Sequence, residues 1–278
     1  MKLAVLADIH ANLAALEATL RDIDAWQPDA VVVAGDVVNR GPQPAECLAL
    51  VLEQQDAHGW RTVLGNHEEY VIQQAGPNPP GKDALADIYR PTRWTLEQLG
   101  GDIAPLLAMP FQQSIAGPDG SEVRVVHAST RGTRDGIFPM TDDDTLREQI
   151  GHPAPAALCV GHTHWPLVRR VDNTLVVNVG SVGLPFDGDS RASYGRLTWT
   201  AGDWQAEVIR LNYDRQLTEE AYLTTGFLEQ AGPLARLHLE ELRSARSELF
   251  SWVATYEDDI LHRRITVEEA VDRWLATN

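Results

Sequence analysis

Short apolar runs alternate with stretches of helical periodicity at the start of the chain, and this alternation constrains the fold more than any other feature. The run LAVLA is typical of a strand buried on both faces, and Leu13, Leu16 and Leu20 then recur at helical spacing. The runs AVVVAG and TVLG, separated by a second helical segment, repeat the alternation. The sequence therefore predicts an α/β fold class, in which crossover helices join parallel strands.

The remainder of the chain is predicted to contain an insertion, a β-rich part and a helical extension. Residues 74–110 contain several Gly and Pro breakers, which indicates a surface insertion or cap. Further strands follow, beginning with a hairpin about the turn GPDGS, and we expect them in a second sheet packed on the first. Residues 1–214 would then form the main domain, and the helical periodicity of residues 215–278 predicts a C-terminal helical extension.

The predicted extension carries a stripe of large apolar side chains that something must cover. The stripe consists of Leu234, Leu237, Leu239, Leu242, Leu249 and Trp252. Left in water, each of these side chains would forgo roughly 1.5 to 3 kcal/mol of burial energy. Either the main domain or a second copy of the chain can cover the stripe. We favour partial cover by a second copy and so expect a homodimer through the C-terminal helices.

The charge balance limits the partners of this protein. The 278 residues carry 40 Asp and Glu against 23 Lys and Arg, a formal net charge of -17. A surface of this sign repels nucleic acid polymers, but divalent cations could reverse the potential inside one pocket that takes a small phosphate ester. No apolar run is long enough to span a membrane or to serve as a signal peptide, so we expect a cytoplasmic protein.

Five short motifs place metal-ligating residue types directly after predicted strands. In chain order they are Asp8-Ile-His10, Gly35-Asp36, Gly65-Asn66-His67-Glu68, Val126-His127-Ala128 and Gly161-His162-Thr163-His164. Each motif alone is a weak signal, because a lone His is more often an ordinary polar residue than a ligand. Loops at the carboxyl ends of strands converge on one pocket, however, so five such motifs in one chain indicate a shared metal site.

This ordered set of motifs, D-x-H, GD, GNH(D/E), H and GHxH, resembles that of the calcineurin-like metallophosphoesterase superfamily over residues 8–164. The flanking segments VLADIHANLAALEATL and NVGSVGLPFDGDSRASYG are most similar to the small bacterial and archaeal phosphodiesterase branch. The resemblance implies a four-layer αββα sandwich, in which two mixed sheets are flanked by helices. It also implies a metal-dependent phosphoric ester hydrolase.

The resemblance further implies two divalent metal ions held by seven side chains. One ion would be bound by Asp8, His10, Asp36 and His164, and the other by Asp36, Asn66, His127 and His162. Carboxylate, imidazole and amide ligands suit Mn, Fe, Co, Ni or Zn better than Ca, and we expect Mn or Fe. Two such ions can share a hydroxide that attacks phosphorus and can clamp the phosphoryl oxygens.

Three further residues are implied to act on the substrate. His67 would protonate the departing oxygen or stabilise the transition state, and we favour the role of acid. Arg40 would bind the phosphate through its planar donors. Asn12 would either donate to the phosphate or cap the helix that begins at Leu13. Asn39 stands where related protein phosphatases and dinucleoside tetraphosphatases carry an Asp that pairs with the catalytic His. An amide stabilises an imidazolium less than a carboxylate does, which argues against efficient protein phosphatase action.

The function predicted from these residues is a phosphodiesterase that acts on small nucleotide or cyclic nucleotide esters. A phosphomonoesterase resembling the protein phosphatases is the alternative within the family, and a metal-binding scaffold without activity is the alternative outside enzymes. The complete ligand set argues against the scaffold. The histidines outside the motifs are expected to be surface or capping residues, namely His58, His152, His238 and His262.

Overall fold

Ten strands form two five-stranded mixed sheets in the computed structural model, which describes residues 1–81 and 85–277. The strands are β1 (Lys2–Leu6), β2 (Ala30–Val33), β3 (Arg61–Thr62), β4 (Gln112–Ala116), β5 (Glu122–Val126), β6 (Ala157–Val160), β7 (Leu167–Val171), β8 (Thr174–Asn178), β9 (Ala192–Thr200) and β10 (Asp203–Leu211). The strand order is β10-β9-β1-β2-β3 in the first sheet and β4-β5-β6-β8-β7 in the second.

The helices of the described residues lie between and after these strands. They are α1 (Leu13–Trp26), α2 (Pro44–His58), α3 (Asn66–Gln74), α4 (Arg90–Gln98), α5 (Ala104–Leu107), α6 (Asp143–Ile150), α7 (Arg215–Thr224), α8 (Phe227–Gln230), α9 (Leu234–Ser244), α10 (Glu248–Leu261) and α11 (Val267–Thr277). Within this part of the chain, no helix has both the length and the apolar character needed to cross a membrane.

The two sheets pack face to face, and helices cover their outer faces. Along β1, the side chains of Leu3 and Val5 join the core between the sheets, while Leu6 belongs to the core on the other face. That second core includes Leu16 of α1 and residues of α2. On the outer face of the second sheet, α6 contributes Leu146 to a separate core. The alternation of side chains along each strand thus builds the predicted four-layer αββα sandwich.

The ligand motifs follow strands β1, β2, β3, β5 and β6, as the sequence predicted. β1 runs parallel to β2, and β2 runs parallel to β3. In the second sheet β5 runs parallel to β6. Parallel strands present their carboxyl ends at one edge of a sheet, so the loops that carry the motifs can meet there.

Two features of the sheets differ from the prediction. β9 and β10 belong to the first sheet, in which β9 pairs antiparallel with β1, and not to the second sheet. Strand propensity does not select a partner that lies far away in the chain, so the sequence pattern could not distinguish the two sheets. The pattern also misses β7, because its sequence LVRRV carries two consecutive arginines, which break the apolar pattern on both faces of an edge strand.

The segment at residues 74–110 contains α4 and α5, and residues 82–84 of this predicted insertion lie outside the described residues. Trp94 of α4 is buried, and its ring centroid lies 4.8 Å from that of Phe227 in an edge-to-face contact. The segment therefore packs against the C-terminal helices. Its description as an insertion or cap stays a prediction, as does the boundary between a 1–214 domain and a 215–278 extension.

The apolar stripe of the C-terminal helices is covered by the chain itself. Four of its six side chains are at most 3% exposed, namely Leu234, Leu237, Leu242 and Trp252. The other two, Leu239 and Leu249, are partly buried. Leu242 lies in one cluster with Trp94 and Phe186, so residues that precede the extension provide part of the cover. The reason given for expecting a homodimer is therefore removed, and without it we expect a monomer.

Candidate metal centre

The seven predicted metal ligands converge at one edge of the sandwich. Ligand atoms lie within 4.8 Å of one another in three groups of side chains: Asp8, His10 and His164; His10, Asp36 and His67; and Asp36, His127 and His162. Asn66 completes the set, since its Oδ1 is 2.9 Å from His127 Nε2 and 2.8 Å from His162 Nδ1. The structure thus brings the seven side chains together, and their binding of metal stays a prediction.

Three of the imidazoles are oriented by backbone carbonyl groups. His127 Nδ1 donates to Ala34 O at 2.8 Å, His10 Nδ1 donates to Asn39 O at 3.3 Å, and His164 Nδ1 donates to Leu184 O. A carbonyl group only accepts, so in each neutral ring the proton is on Nδ1 and Nε2 keeps its lone pair. Ligand histidines of metal sites are commonly held in this way.

The lone pairs of these rings face other acceptors, which is unfavourable in the protein alone. His10 Nε2 is 3.2 Å from His164 Nε2, and His164 Nε2 is 3.3 Å from Asp8 Oδ1. Asp8 Oδ1 is buried and has no hydrogen-bond partner among the described residues. Buried polar atoms are nearly always paired, so the orphaned carboxylate oxygen and the facing lone pairs fit a cation between them.

Asp36 lies between two of the groups. Its Oδ2 is 3.3 Å from His127 Nε2 and 3.7 Å from His10 Nε2, while its Oδ1 accepts a hydrogen bond from His67 N at 2.9 Å. Burial alone would raise the pKa of Asp36, but the imidazoles of His127 and His67 hold it well below its usual range. Burial likewise opposes a charge on His127, yet Asp36 raises the pKa of that imidazole to about 10. The carboxylates of the centre therefore favour a positive charge beside them.

The backbone of the ligand loops is strained. Five of the ligands have φ between 47° and 67°, namely Asp8, His10, Asp36, His162 and His164. L residues rarely adopt this left-handed region, at a cost on the order of 1 to 3 kcal/mol each. Glycine is required beside them, because a Cβ atom at Gly65 would lie 2.1 Å from Asp36 Oδ1. Such strain is typical of sites where geometry serves function.

Glu68 orients the loop that carries Asp36, a role that the motif analysis did not assign. Its side chain is fully buried, and it accepts hydrogen bonds from Asp36 N and Val37 N at 2.8 Å and from Gly65 N at 3.0 Å. Burial and the charge of Asp36 raise the pKa of Glu68 against the effect of these hydrogen bonds. Glu68 could have been found from the sequence by its position three residues after Gly65, the N-cap of α3. An acidic side chain at that position closes a capping box.

Asn39 fixes the orientation of the His67 ring. Asn39 Oδ1 accepts a hydrogen bond from Arg40 N at 3.0 Å, which turns the amide nitrogen toward His67. Asn39 Nδ2 then donates to His67 Nδ1 at 2.9 Å. Since that ring nitrogen accepts, the proton of the neutral imidazole is on Nε2. Burial lowers the pKa of His67 well below its usual value, so the neutral form is expected near pH 7.

Arg40 and Asn12 differ in their access to the centre. Arg40 has a side chain that is 12% exposed, and its guanidinium carbon lies 5.7 Å from the ring centroid of Phe186. Asn12 is buried, and its Oδ1 accepts a hydrogen bond from Ala15 N at 3.2 Å, which caps α1. Its Nδ2 donates to Gly183 O at 2.9 Å. The structure shows the capping alternative for Asn12, and a role for this residue in binding phosphate stays a prediction.

A cavity of about 350 Å³ opens onto the centre. Arg40, His67 and Tyr70 line it together with four of the ligands. The C-terminal helices contribute further lining residues, namely Ser247, Leu249, Phe250 and Val253. The helical pattern of the extension carries no sign of a pocket, so the sequence does not predict a part for it in the site. A larger hollow of about 810 Å³ between α6 and the β7–β8 turn contains none of the predicted site residues.

His238 is not the surface residue that the sequence analysis predicted. It is 2% exposed in α9, and its Nδ1 donates to Glu241 Oε2 at 3.1 Å. The prediction was wrong because it considered only the distance of His238 from the motifs along the sequence, whereas the fold packs α9 beside them. The other three histidines outside the motifs are exposed, as predicted, namely His58, His152 and His262.

Comparison with known families identifies the class of this protein. A model of the calcineurin-like phosphoesterase superfamily domain matches residues 1–202, which include every predicted ligand. The chain therefore belongs to the calcineurin-like phosphoesterase superfamily, a class of metal-dependent phosphoric ester hydrolases. Members of this family use divalent metal ions, in agreement with the clustered His and Asp side chains.

Similar proteins come from archaea and bacteria, as the narrower resemblance predicted. An uncharacterised protein of Methanocaldococcus jannaschii is 28% identical over 230 residues, which are 76% of this chain and 88% of that protein. The crystal structure of a metallophosphoesterase from Sphaerobacter thermophilus is similar with a TM-score of 0.69 and 26% identity, and the match covers 88% of this chain and 99% of that one. A symmetrical bis(5'-nucleosyl)-tetraphosphatase of Paracidovorax citrulli is 37% identical over 92 residues, which are 32% of each chain.

Proposed function

We propose that this protein is a phosphodiesterase that uses two divalent metal ions to hydrolyse small nucleotide or cyclic nucleotide esters. The observation that carries the proposal is the convergence of seven ligand side chains, Asp36 among them, in which the lone pairs of His10 and His164 face each other and Asp8 Oδ1. Leaving so many buried acceptors unpaired would be costly, and metal ions remove that cost.

The ligands divide into two sets that share one carboxylate. Asp8, His10, Asp36 and His164 would hold one ion, and Asp36, Asn66, His127 and His162 would hold the other. The mixture of carboxylate, imidazole and amide favours Mn or Fe, with Co, Ni or Zn as alternatives. When bound, two such ions lower the pKa of the attacking water and neutralise the phosphoryl oxygens.

Arg40 and His67 would act on the substrate from the wall of the cavity. The planar guanidinium of Arg40 suits two non-bridging phosphate oxygens at once. His67 presents Nε2–H, because its Nδ1 accepts from Asn39, and would donate a hydrogen bond to the departing oxygen. Of the two roles expected for His67 from the sequence, full proton transfer was favoured over stabilisation of the transition state. A hydrogen bond is favoured instead, since a proton on Nδ1 would face the donating amide of Asn39.

The cavity supports a small substrate with an apolar part. Its volume of about 350 Å³ is near the lower end of the range of ligand pockets, roughly 300 to 1,000 Å³. Leu249, Phe250 and Val253 give it apolar lining, and Tyr70 adds an aromatic ring. A nucleoside base packs well on such surfaces. The net charge of -17 opposes a nucleic acid polymer as substrate.

A dinucleoside tetraphosphate is the second candidate substrate. The observation in its favour is the 37% identity over 92 residues to a protein named as a symmetrical bis(5'-nucleosyl)-tetraphosphatase. The observation against it is Asn39, since an amide beside His67 replaces the carboxylate expected in that branch. A phosphomonoester ranks lower for the same reason.

Metal analysis and a substrate panel on one preparation test the proposal. We expect two ions per chain and the fastest turnover for diesters such as bis(p-nitrophenyl) phosphate and cyclic mononucleotides, with Mn or Fe added. The matched comparators are p-nitrophenyl phosphate and diadenosine tetraphosphate. Saturation at one ion per chain or fewer would contradict the dinuclear site. Faster hydrolysis of either comparator would replace the proposed substrate class.

A further inference from the structure

A fully buried carboxylate from the C-terminal helices lies beside the arginine of the cavity. The side chain of Glu241, in α9, is 0% exposed, and its Oε1 is 3.8 Å from Arg40 Nη2. The five ligand motifs precede α9 by a long stretch of chain, so they assign no role to this glutamate. A buried carboxylate is costly unless it is paired, and Arg40 provides the permanent positive charge beside Glu241.

Two further contacts fix the position of Glu241. Its Oε1 accepts a hydrogen bond from Leu249 N at 3.0 Å, and its Oε2 accepts one from His238 Nδ1 at 3.1 Å. Burial alone would raise the pKa of Glu241, but the charge of Arg40 and the contact with His238 lower it. Glu241 is therefore a charged acceptor whose place is set by the junction of α9 and α10.

Arg40 also contacts Tyr222 of the C-terminal helices and Phe186 of the loop between β8 and β9. Tyr222 in α7 donates from its hydroxyl group to Arg40 O at 3.1 Å. The guanidinium lies over the ring of Phe186, which in turn stacks on the imidazole of His164 at 4.2 Å between centroids. Arg40 Nε is buried and has no hydrogen-bond partner among the described residues. The polar contacts of Arg40 with the C-terminal helices are therefore made by Nη2 and by its backbone carbonyl group.

We propose that Glu241 is a positioning residue that holds the guanidinium of Arg40 in the direction needed to bind a substrate phosphate at the metal centre. The inference rests on the proposed function, in which Arg40 binds that phosphate. A long side chain that is already held in place loses less conformational entropy on binding, so affinity for the phosphate rises. The C-terminal helices thus contribute to the site in two ways: Glu241 pairs with Arg40, and apolar side chains of α10 line the cavity.

The first test uses inorganic phosphate as the probe and the metal-loaded full chain. Glu241→Gln removes the charge but keeps an oxygen that can accept from Leu249 N. We expect the dissociation constant of phosphate to rise about 5- to 30-fold, and the KM of the ester to rise with it while kcat changes less. Glu240→Gln is the matched control, because it makes the same charge change one position away on a side chain that does not line the cavity.

A double-mutant cycle separates positioning from general support of the fold. In an Arg40→Ala background, Glu241→Gln should have no further effect on phosphate binding, because Glu241 acts through Arg40. Arg40→Ala alone leaves a buried carboxylate without its cation and should lower the Tm, and adding Glu241→Gln should recover part of that loss.

Three outcomes would overturn the proposal: unchanged phosphate binding in Glu241→Gln, tighter binding, or an equal weakening in both backgrounds. Phosphate binding and Tm are measured without turnover. A failure of the proposed function is recognised separately, by the absence of ester hydrolysis in the unsubstituted protein.

Discussion

The ligand loops and the C-terminal helices contribute to the same cavity by opposite structural means. In the loops, ligands such as Asp36 and His162 have left-handed backbone and sit within a few ångströms of other charged groups. In the extension, Glu241 and Phe250 lie on the regular helices α9 and α10, and tertiary packing alone brings them to the site. The geometry proposed for the metal ions therefore depends on short motifs, whereas the shape of the proposed substrate pocket depends on how the helices pack.

This contrast predicts different consequences for the two regions. Substitutions of the seven proposed ligands should remove metal and turnover together, because the same atoms serve both. Substitutions in the helices should change substrate binding while metal content stays the same. A helix variant that loses metal, or a variant of one of the seven proposed ligands that loses only affinity for the substrate, would break the comparison.

The largest effect is expected from Asp36→Asn. The change removes a negative charge that faces both His127 and His10, and it leaves the repulsion between two cations less screened. Turnover should fall below detection, and metal analysis should show fewer than two ions per chain. Asp119→Asn, in an exposed turn, is the matched control and should change neither quantity. Two retained ions with near-normal turnover would refute the proposed ligand set.

His67→Ala should produce the next largest effect and should separate chemistry from metal binding. Removing one hydrogen-bond donor to the departing oxygen should reduce kcat by a factor on the order of 10² to 10³. The reduction should be smaller for p-nitrophenyl esters than for alkyl esters, because a good leaving group needs less stabilisation. Metal content should stay at two ions per chain. A loss of metal would show that His67 is itself a ligand, as its place beside His10 and Asp36 allows.

The parts of this molecule that could be predicted from the sequence are those with local signals. The ligand loops could be found because each motif is a few residues long and follows an apolar run, as at Asp8 and His127. The pairing of β9 with β1 could not be predicted, because it joins distant segments and no local pattern selects the partner. The burial of Glu241 could not be predicted either. In a helical pattern it resembles a solvated glutamate, and only the packing of α9 buries it.

Phe250→Ala tests whether the C-terminal helices contribute to substrate binding, and we expect a smaller effect than for His67→Ala. The ring lines the cavity and is 77% exposed, so we expect its loss to raise the KM of a nucleotide ester roughly fivefold, the lower end of a base-stacking contact. Metal content and kcat should not change. Leu261→Ala removes an exposed apolar side chain from the same helix outside the cavity and is the matched control. An equal rise of KM in both variants would show that α10 acts through stability instead of contact.

The smallest effect is expected from changing the protein concentration. The exposed large apolar residues of the C-terminal helices are scattered, namely Leu217, Leu223, Phe250 and Leu261, and isolated residues of this kind are ordinary on protein surfaces. A stable dimer needs a contact of about 800 Å² on each partner. Light scattering should therefore give the mass of one chain at micromolar concentration, and turnover per chain should not vary with dilution. Twice that mass would support the homodimer favoured by the sequence pattern. In that case Phe250→Ala should also weaken the association, and the helices would serve a second chain as well as their own cavity.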